Sequence, residues 1–164
     1  MNIKPKLENA INKQINAELW SAYLYLSMSA YFETLNLSGF AHWMRLQAKE
    51  ETSHAMKLYD YVIERNGRVK VATISAPPTT WKNPVHVFEE TLKHEQKVTS
   101  LINDLVNLSI QEKDHATTTM LNWFVNEQVE EENNTDAILQ KLKLVGSNSN
   151  GLFMMDHQLG ERKD

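Results

Sequence analysis

The 164 residues are enough for one domain with a substantial core, and the 41% hydrophobic and 23% charged content is typical of a globular protein. A formal net charge of −4 without a basic cluster gives no support for nucleic-acid binding, and the absence of cysteine excludes disulfides, thiolate metal sites and thiol nucleophiles. The first residues show no signal-peptide pattern, and no stretch approaches the ~20 apolar residues that span a bilayer. We therefore expect a cytoplasmic protein without membrane contact.

Apolar residues recur at helical spacing through most of the chain, and only five glycines and four prolines interrupt them. The pattern predicts helices at about 6–35, 39–66, 84–111 and 114–145, with a short fifth helix at about 151–159. Ser38 is placed to cap the second of these helices. Asn83 followed by Pro84 is typical of a helix start, with the proline in the first turn.

Residues 67–83 break the helical period and contain adjacent prolines, which predicts a long connection with a short extended piece at 69–71. A connection of this length extends to about 56 Å, whereas the second helix is about 42 Å long. The connection can therefore return along the whole bundle. We predict an all-α fold in which two antiparallel hairpins, joined by this crossover, form a single four-helix domain over 1–164.

One glutamate lies within the apolar stripe of each long helix: Glu18, Glu51, Glu95 and Glu131. At about 100° per residue, apolar side chains on the same helix lie within about 40° of each acid. An isolated glutamate in such a position is usually an edge residue or the partner of a buried base. These faces supply no matching set of lysines or arginines, so four core carboxylates would repel one another or hold protons.

Two divalent cations would neutralise these four carboxylates. Glu51 and His54 are separated by three residues on one helix, which lets a carboxylate and an imidazole reach one metal pair. Oxygen ligands with one nitrogen suit Fe(II), Mn(II) or Zn(II). The sequence therefore predicts a dinuclear metal site in the bundle core.

The order and spacing of these motifs resemble those of the bacterial non-haem ferritins over nearly the whole chain. The matching elements are Glu18 with Tyr25, AKEETSH with Glu51 and His54, Glu95, and NEQVEEE with Gln128 and Glu131. The resemblance implies a ferritin-like bundle with a ferroxidase centre. By this resemblance, Glu18, Glu51 and His54 bind the first iron, and Glu51 as a bridge, Glu95 and Glu131 bind the second.

The resemblance also implies roles for five further residues. Gln128 would lie beside the ligands, and Tyr25 would hydrogen-bond a ligand and could be oxidised. A third iron site would use Glu50, Glu127 and Glu130, for which the alternative is a solvated acidic face.

Departures from related families narrow the prediction. Bacterioferritins have a second E-x-x-H pair where this chain has Gln128 and Glu131, and their haem-binding methionine would fall at Thr52, so we expect no haem. Rubrerythrins need cysteines that this chain lacks. Animal ferritins line their three-fold channels with acids, and this chain has residues such as Thr117 and Leu121 at those positions. The sequence therefore does not identify the route by which iron enters.

The resemblance implies an iron-storing ferroxidase that oxidises Fe(II) with O₂ or peroxide inside a homo-oligomeric shell of twenty-four subunits. One alternative is a substrate-oxidising di-iron or Mn/Fe carboxylate enzyme on the same bundle, which would need a substrate pocket beside the metals. Another is a metal-free helical interaction protein, for which metal removal would change nothing.

Overall fold

The computed structural model describes residues 2–163; Met1 and Asp164, the ends of the predicted domain, lie outside them. In this part of the chain five α-helices and no strand are present: α1 Pro5–Thr34, α2 Ser38–Glu64, α3 Pro84–Gln111, α4 His115–Val145 and α5 Ser149–Gly160. Helix α1 packs along α2 and against α3, α3 packs along α4, and α5 packs mainly on α2. The predicted all-α bundle with a short fifth helix is confirmed. None of the helices described is long and apolar enough to cross a membrane.

The start of α2 differs from the prediction that Ser38 caps it. Ser38 is already helical, and no side-chain cap is formed by the preceding residue. Instead Oδ1 of Asp156, on α5, accepts hydrogen bonds from the backbone N–H groups of Gly39 at 2.8 Å and Phe40 at 3.0 Å. A carboxylate satisfies free N–H groups and complements the helix dipole, so a distant residue replaces the local cap. Asn83 caps α3 through its side chain, as predicted.

The crossover between α2 and α3 has no regular secondary structure. The predicted extended piece at 69–71 pairs with no strand, because its backbone binds to α1 instead. The N–H of Lys70 donates to Oδ1 of Asn12 at 2.6 Å, and the Asn12 amide donates to the carbonyl of Arg68 at 3.0 Å. These bonds fix the crossover against α1.

The buried apolar side chains form two clusters with a polar layer between them. The α5-side cluster includes Met28, Phe32, Phe40, Phe88 and Leu142. The far cluster includes Leu7, Ile11, Leu58, Ile102 and Phe124. Along α1 the far cluster ends at Ile15 and the α5-side cluster begins at Leu24. The polar residues of all four long helices occupy the interval, near the middle of the bundle.

Candidate metal centre

Five ionisable side chains predicted as ligands lie buried in the polar layer, each at most 4% exposed: Glu18, Glu51, His54, Glu95 and Glu131. Each long helix contributes one glutamate, because the helical period aims that position at the core. A buried carboxylate is costly unless a cation, a proton or hydrogen-bond donors compensate it. The contacts of each acid therefore determine what the layer can bind.

A first group of ligand atoms converges between α1 and α2. One atom each from Glu18, Glu51 and His54 lies within 4.8 Å of the other two. The amide of Gln14 donates to Oε1 of Glu18 at 2.9 Å, whereas Oε2 of Glu18 and Oε2 of Glu51 are buried without a hydrogen-bond partner. Nδ1 of His54 lies 3.5 Å from Oε2 of Glu51. Two unpartnered carboxylate oxygens and an imidazole nitrogen fit a divalent cation.

A second group adjoins the first and shares its histidine. His54, Glu127 and Glu131 each offer a ligand atom within 4.8 Å of the others, and Nε2 of His54 lies 3.9 Å from Oε1 of Glu127. Gln47, on α2, donates to Oε2 of Glu131 at 2.8 Å. The assignment of Glu131 to a set with Glu51 and Glu95 stays a prediction; the structure also brings an oxygen of Glu131 within 4.8 Å of ligand atoms of His54 and Glu127.

Glu95 is held by two donors of the predicted site. The hydroxyl of Tyr25 donates to Oε1 of Glu95. The amide of Gln128 lies 3.2 Å from both Oε2 and the backbone carbonyl of Glu95, and 3.3 Å from Oγ1 of Thr99. These bonds place the Glu95 carboxylate in the layer with both oxygens partnered by donors from α1 and α4.

Burial and mutual repulsion shift the titration of these acids. Desolvation, and then the charges of Glu18 and Glu95, raise the pKa of Glu51 well above its ordinary value. Desolvation raises the pKa of Glu95 to about 7, against the lowering effect of its bonds from Tyr25 and Gln128. Desolvation, and then the charge of Glu95, raise the pKa of Glu131 to about 8. Without a cation the layer therefore retains protons near neutral pH.

The three residues of the predicted third site do not form one group of convergent ligand atoms among residues 2–163, so that site stays a prediction. Glu127 lies with His54 in the second group, whereas Oε2 of Glu50 lies 2.5 Å from Nη2 of Arg162. Glu130 is exposed. Among residues 2–163, neither Glu50 nor Glu130 belongs to a group of three convergent ligands.

Three residues that contact the acids were not predicted from the sequence: Gln14, Gln47 and Arg162. Each glutamine precedes a stripe glutamate by four residues, a spacing that puts both on one helix face. That spacing could have identified them as buried partners. Arg162 follows α5 and has no comparable local signal.

Comparison with known proteins places this geometry in a family. A family model described as a ferritin-like domain matches residues 8–145. The chain is 50% identical over 160 residues to the bacterial non-heme ferritin of Bacteroides fragilis, covering 98% of this chain and 99% of that protein. It is 36% identical over 160 residues to the bacterial non-heme ferritin of Staphylococcus aureus, covering 98% and 96%.

Solved structures agree with the sequence comparison. An open pore ferritin from the hyperthermophilic archaeon Archaeoglobus fulgidus matches with a TM-score of 0.98 at 48% identity, covering 99% of this chain and 100% of that one. An engineered closed form of the A. fulgidus ferritin also matches with a TM-score of 0.98 at 48% identity, covering 99% of each chain. The chain belongs to the ferritin family.

Proposed function

We propose that this protein oxidises Fe(II) to Fe(III) with O₂ or peroxide at the buried centre and stores the product as a ferric oxyhydroxide mineral. The observation that carries the proposal is the first ligand group. There Glu18 and Glu51 each present a buried oxygen that accepts no hydrogen bond, and the oxygen of Glu51 lies 3.5 Å from the imidazole of His54. Burial of such oxygens in a bundle core costs free energy, and a bound cation offsets that cost.

Two Fe(II) ions are the substrates. The first binds at Glu18, Glu51 and His54, and the second binds at Glu131 with Glu51 and Glu95. Four carboxylates then neutralise two divalent ions, and protons retained by Glu95 and Glu131 are released as the metals bind. The amides of the buried glutamines keep the carboxylates oriented while the ions bind and leave.

Oxidation removes one electron from each Fe(II). One O₂ accepts the two electrons and two protons and becomes hydrogen peroxide; when peroxide is the oxidant, it takes two electrons and two protons and becomes two waters. Anionic ligands favour the more positive oxidation state, so the carboxylates assist the step. The buried phenol of Tyr25 stays protonated, because desolvation and then the charge of Glu95 raise its pKa well above 10. Its hydrogen bond holds Glu95 in place.

Mineral storage needs an enclosed volume that one bundle lacks. We propose a homo-oligomeric shell of twenty-four subunits. Large apolar side chains that are strongly exposed in the isolated chain supply contact surface: Leu144 at 87%, Phe153 at 74% and Met154 at 71%. The relative described as an open pore ferritin supports a pored assembly.

The test is anaerobic Fe(II) titration of the metal-free protein, followed by stopped-flow mixing with O₂ and gel filtration of the same sample. We expect rapid oxidation of two Fe(II) per chain, in a very large assembly that goes on to store more iron. Tight binding of two irons in a small oligomer that stores no more would favour the substrate-oxidising enzyme. Absence of metal binding would favour the helical interaction protein.

A further inference from the structure

Gln128 holds Glu95 with only one end of its amide. Its Nε2 lies 3.2 Å from both the backbone carbonyl oxygen and Oε2 of Glu95, and 3.3 Å from Oγ1 of Thr99. All three oxygens face the NH₂ group, which donates and cannot accept. Reversal of the amide would place its oxygen against the Glu95 carboxylate instead, where two acceptors repel one another. The contacts of Gln128 with Glu95 therefore depend on the orientation of the amide.

The Thr99 hydroxyl can only accept from Gln128, because its single hydrogen is used elsewhere. Oγ1 of Thr99 donates to Oε1 of Glu132 at 2.5 Å. An ionised carboxylate accepts but does not donate, and it forms short, strong bonds with hydroxyl groups. The lone pairs of the Thr99 oxygen are left for Gln128, so the amide must present its NH₂ group. The carboxylate of Glu132 thus determines, through Thr99, the direction of the bond from Gln128 to Glu95.

A cavity of about 340 Å³ between α3 and α4 makes this control necessary. Its lining includes Thr99, Gln128 and Glu132, together with apolar side chains such as Ile102 and Val125. A cavity of this size with several polar groups has room for water. Water donates and accepts equally well, so it would satisfy the Gln128 amide in either orientation. The Thr99 hydroxyl, with its hydrogen held by Glu132, discriminates between the two orientations from this side.

The orientation of Gln128 matters because Glu95 is a proposed ligand of the second iron. Oε1 of Glu95 accepts from the hydroxyl of Tyr25, on α1, and Oε2 accepts from Gln128, on α4. The carboxylate is therefore held from two sides. If the amide were reversed, Oε2 would be repelled, and the second metal position would lose a ligand that is already oriented. The first ligand group, on α1 and α2, does not include Glu95.

We propose that Thr99 and Glu132 are positioning residues for the second metal position. The Glu132 carboxylate makes the Thr99 hydroxyl an acceptor for Gln128, and Gln128 in turn keeps Glu95 oriented for a divalent cation. This inference rests on the proposed function, because it needs a cation bound at Glu95. Loss of the Thr99 hydroxyl should therefore weaken the second metal position and leave the first intact.

The experiment is Zn(II) titration calorimetry on the assembled, metal-free protein, with Co(II) spectra to record the ligand field of each bound ion. Glu18→Ala removes a ligand of the first position only, which tells the two binding steps apart. The main variant is Thr99→Val, which nearly keeps the shape of the side chain but lacks its hydroxyl; Thr99→Ala replaces it if that variant does not assemble. Thr99→Ser keeps the hydroxyl. The matched control is Thr135→Val, on α4, where the buried hydroxyl makes no hydrogen bond within residues 2–163.

We expect Thr99→Val to bind the second Zn(II) about tenfold more weakly than the wild type and to change the Co(II) spectrum of that position. The first Zn(II) should bind as it does in the wild type, and Thr99→Ser and Thr135→Val should match the wild type at both positions. Gln128→Leu should itself weaken the second position. Adding Thr99→Val to Gln128→Leu should weaken it no further, since Thr99 acts through Gln128.

Glu132→Met tests the other end of this chain of hydrogen bonds, because it removes the acceptor of the Thr99 hydrogen. It also removes a charge that acts on Glu95. The same change is therefore made in Thr99→Val, where only the effect of the charge remains. We expect Glu132→Met to weaken the binding of the second Zn(II) more in the wild type than in Thr99→Val. An equal effect in both would show that Glu132 acts through its charge alone, which overturns its positioning role.

Two further results would overturn the inference while leaving the proposed function intact. One is wild-type binding of the second Zn(II) in a folded, assembled variant without the Thr99 hydroxyl. The other is a loss in Thr99→Val that persists at full size in Gln128→Leu. If the wild type binds no cation at Glu95, the inference fails together with the proposed function.

Discussion

Gln14 lies one helical turn before Glu18 and donates to its Oε1 at 2.9 Å, which leaves Oε2 as the buried oxygen without a partner. The amide thereby determines which oxygen is available to a cation. Gln47, on α2, likewise donates to one carboxylate oxygen of Glu131, on α4, so this bond joins two helices. Neutral amides orient carboxylates without neutralising them, so the charge of the layer must be balanced by protons or metal.

Replacement of Glu51 separates the functional value of this acid from its structural cost. We expect Glu51→Gln to slow Fe(II) oxidation by at least tenfold, because both metal positions lose a ligand. The metal-free variant should unfold at a higher temperature at neutral pH, since a desolvated carboxyl repelled by Glu18 and Glu95 has been removed. Stopped-flow oxidation and thermal unfolding of metal-free protein provide the two measurements. Glu64→Gln, at an exposed position on the same helix, is the control. Unchanged kinetics in Glu51→Gln would remove Glu51 from the site.

The metal-free protein should lose stability as the pH rises. Glu95 and Glu131 titrate near pH 7 and 8 when folded, and near 4.5 when unfolded. Between these pH values the folded state holds more protons than the unfolded state. Each acid therefore lowers the free energy of unfolding by up to about 1.4 kcal/mol for every unit by which the pH rises. Thermal unfolding from pH 5 to pH 8 should show this decline, and saturating Zn(II) should reverse it. A profile that is flat without metal would contradict the raised pKa values.

Loss of the Tyr25 hydroxyl should act through Glu95. In Tyr25→Phe the ring remains, but Glu95 loses a hydrogen-bond donor that lowers its pKa. The pKa of Glu95 therefore rises, a larger fraction of its carboxyl is protonated, and metal binding at Glu95 weakens. We expect oxidation to slow several-fold at pH 6.5, with a smaller loss at pH 8. Tyr23→Phe, at an exposed position, is the matched control. An equal loss at both pH values would show that the hydroxyl does not act through the protonation of Glu95.

The packing of α5 on α2 depends on a glycine without a side chain. A Cβ on Gly39 would lie 1.6 Å from the backbone oxygen of Asp156, whereas a Cβ on Gly160 would meet the Cα of Gly39 at 3.4 Å, an ordinary contact. Gly39→Ala should therefore displace α5 and lower the unfolding temperature, while Gly160→Ala should change it little. Thermal unfolding of the pair measures the difference, and equal effects would show that this close approach is not what fixes α5.

Periodicity predicted the fold well because the long helices each have one apolar face and few interruptions. The same arithmetic located the stripe glutamates, since a charged residue on an apolar face is conspicuous in sequence. It failed where a distant residue replaces a local one, as when Asp156 binds the N–H groups at the start of α2 in place of a Ser38 cap. It also could not find Arg162, whose contacts depend on where α5 docks and not on any spacing along a helix.

The division of the core into two clusters by a polar layer has a consequence for how the sequence can change. The α5-side cluster and the far cluster are separate contact networks. A substitution that changes side-chain volume in one cluster can therefore be compensated only by residues of the same cluster. Epistasis should be strong between Phe32 and Phe40, whose ring centroids are 5.0 Å apart. It should be nearly absent between Phe32 and Ile102, so the two halves can drift independently while the layer between them stays constant.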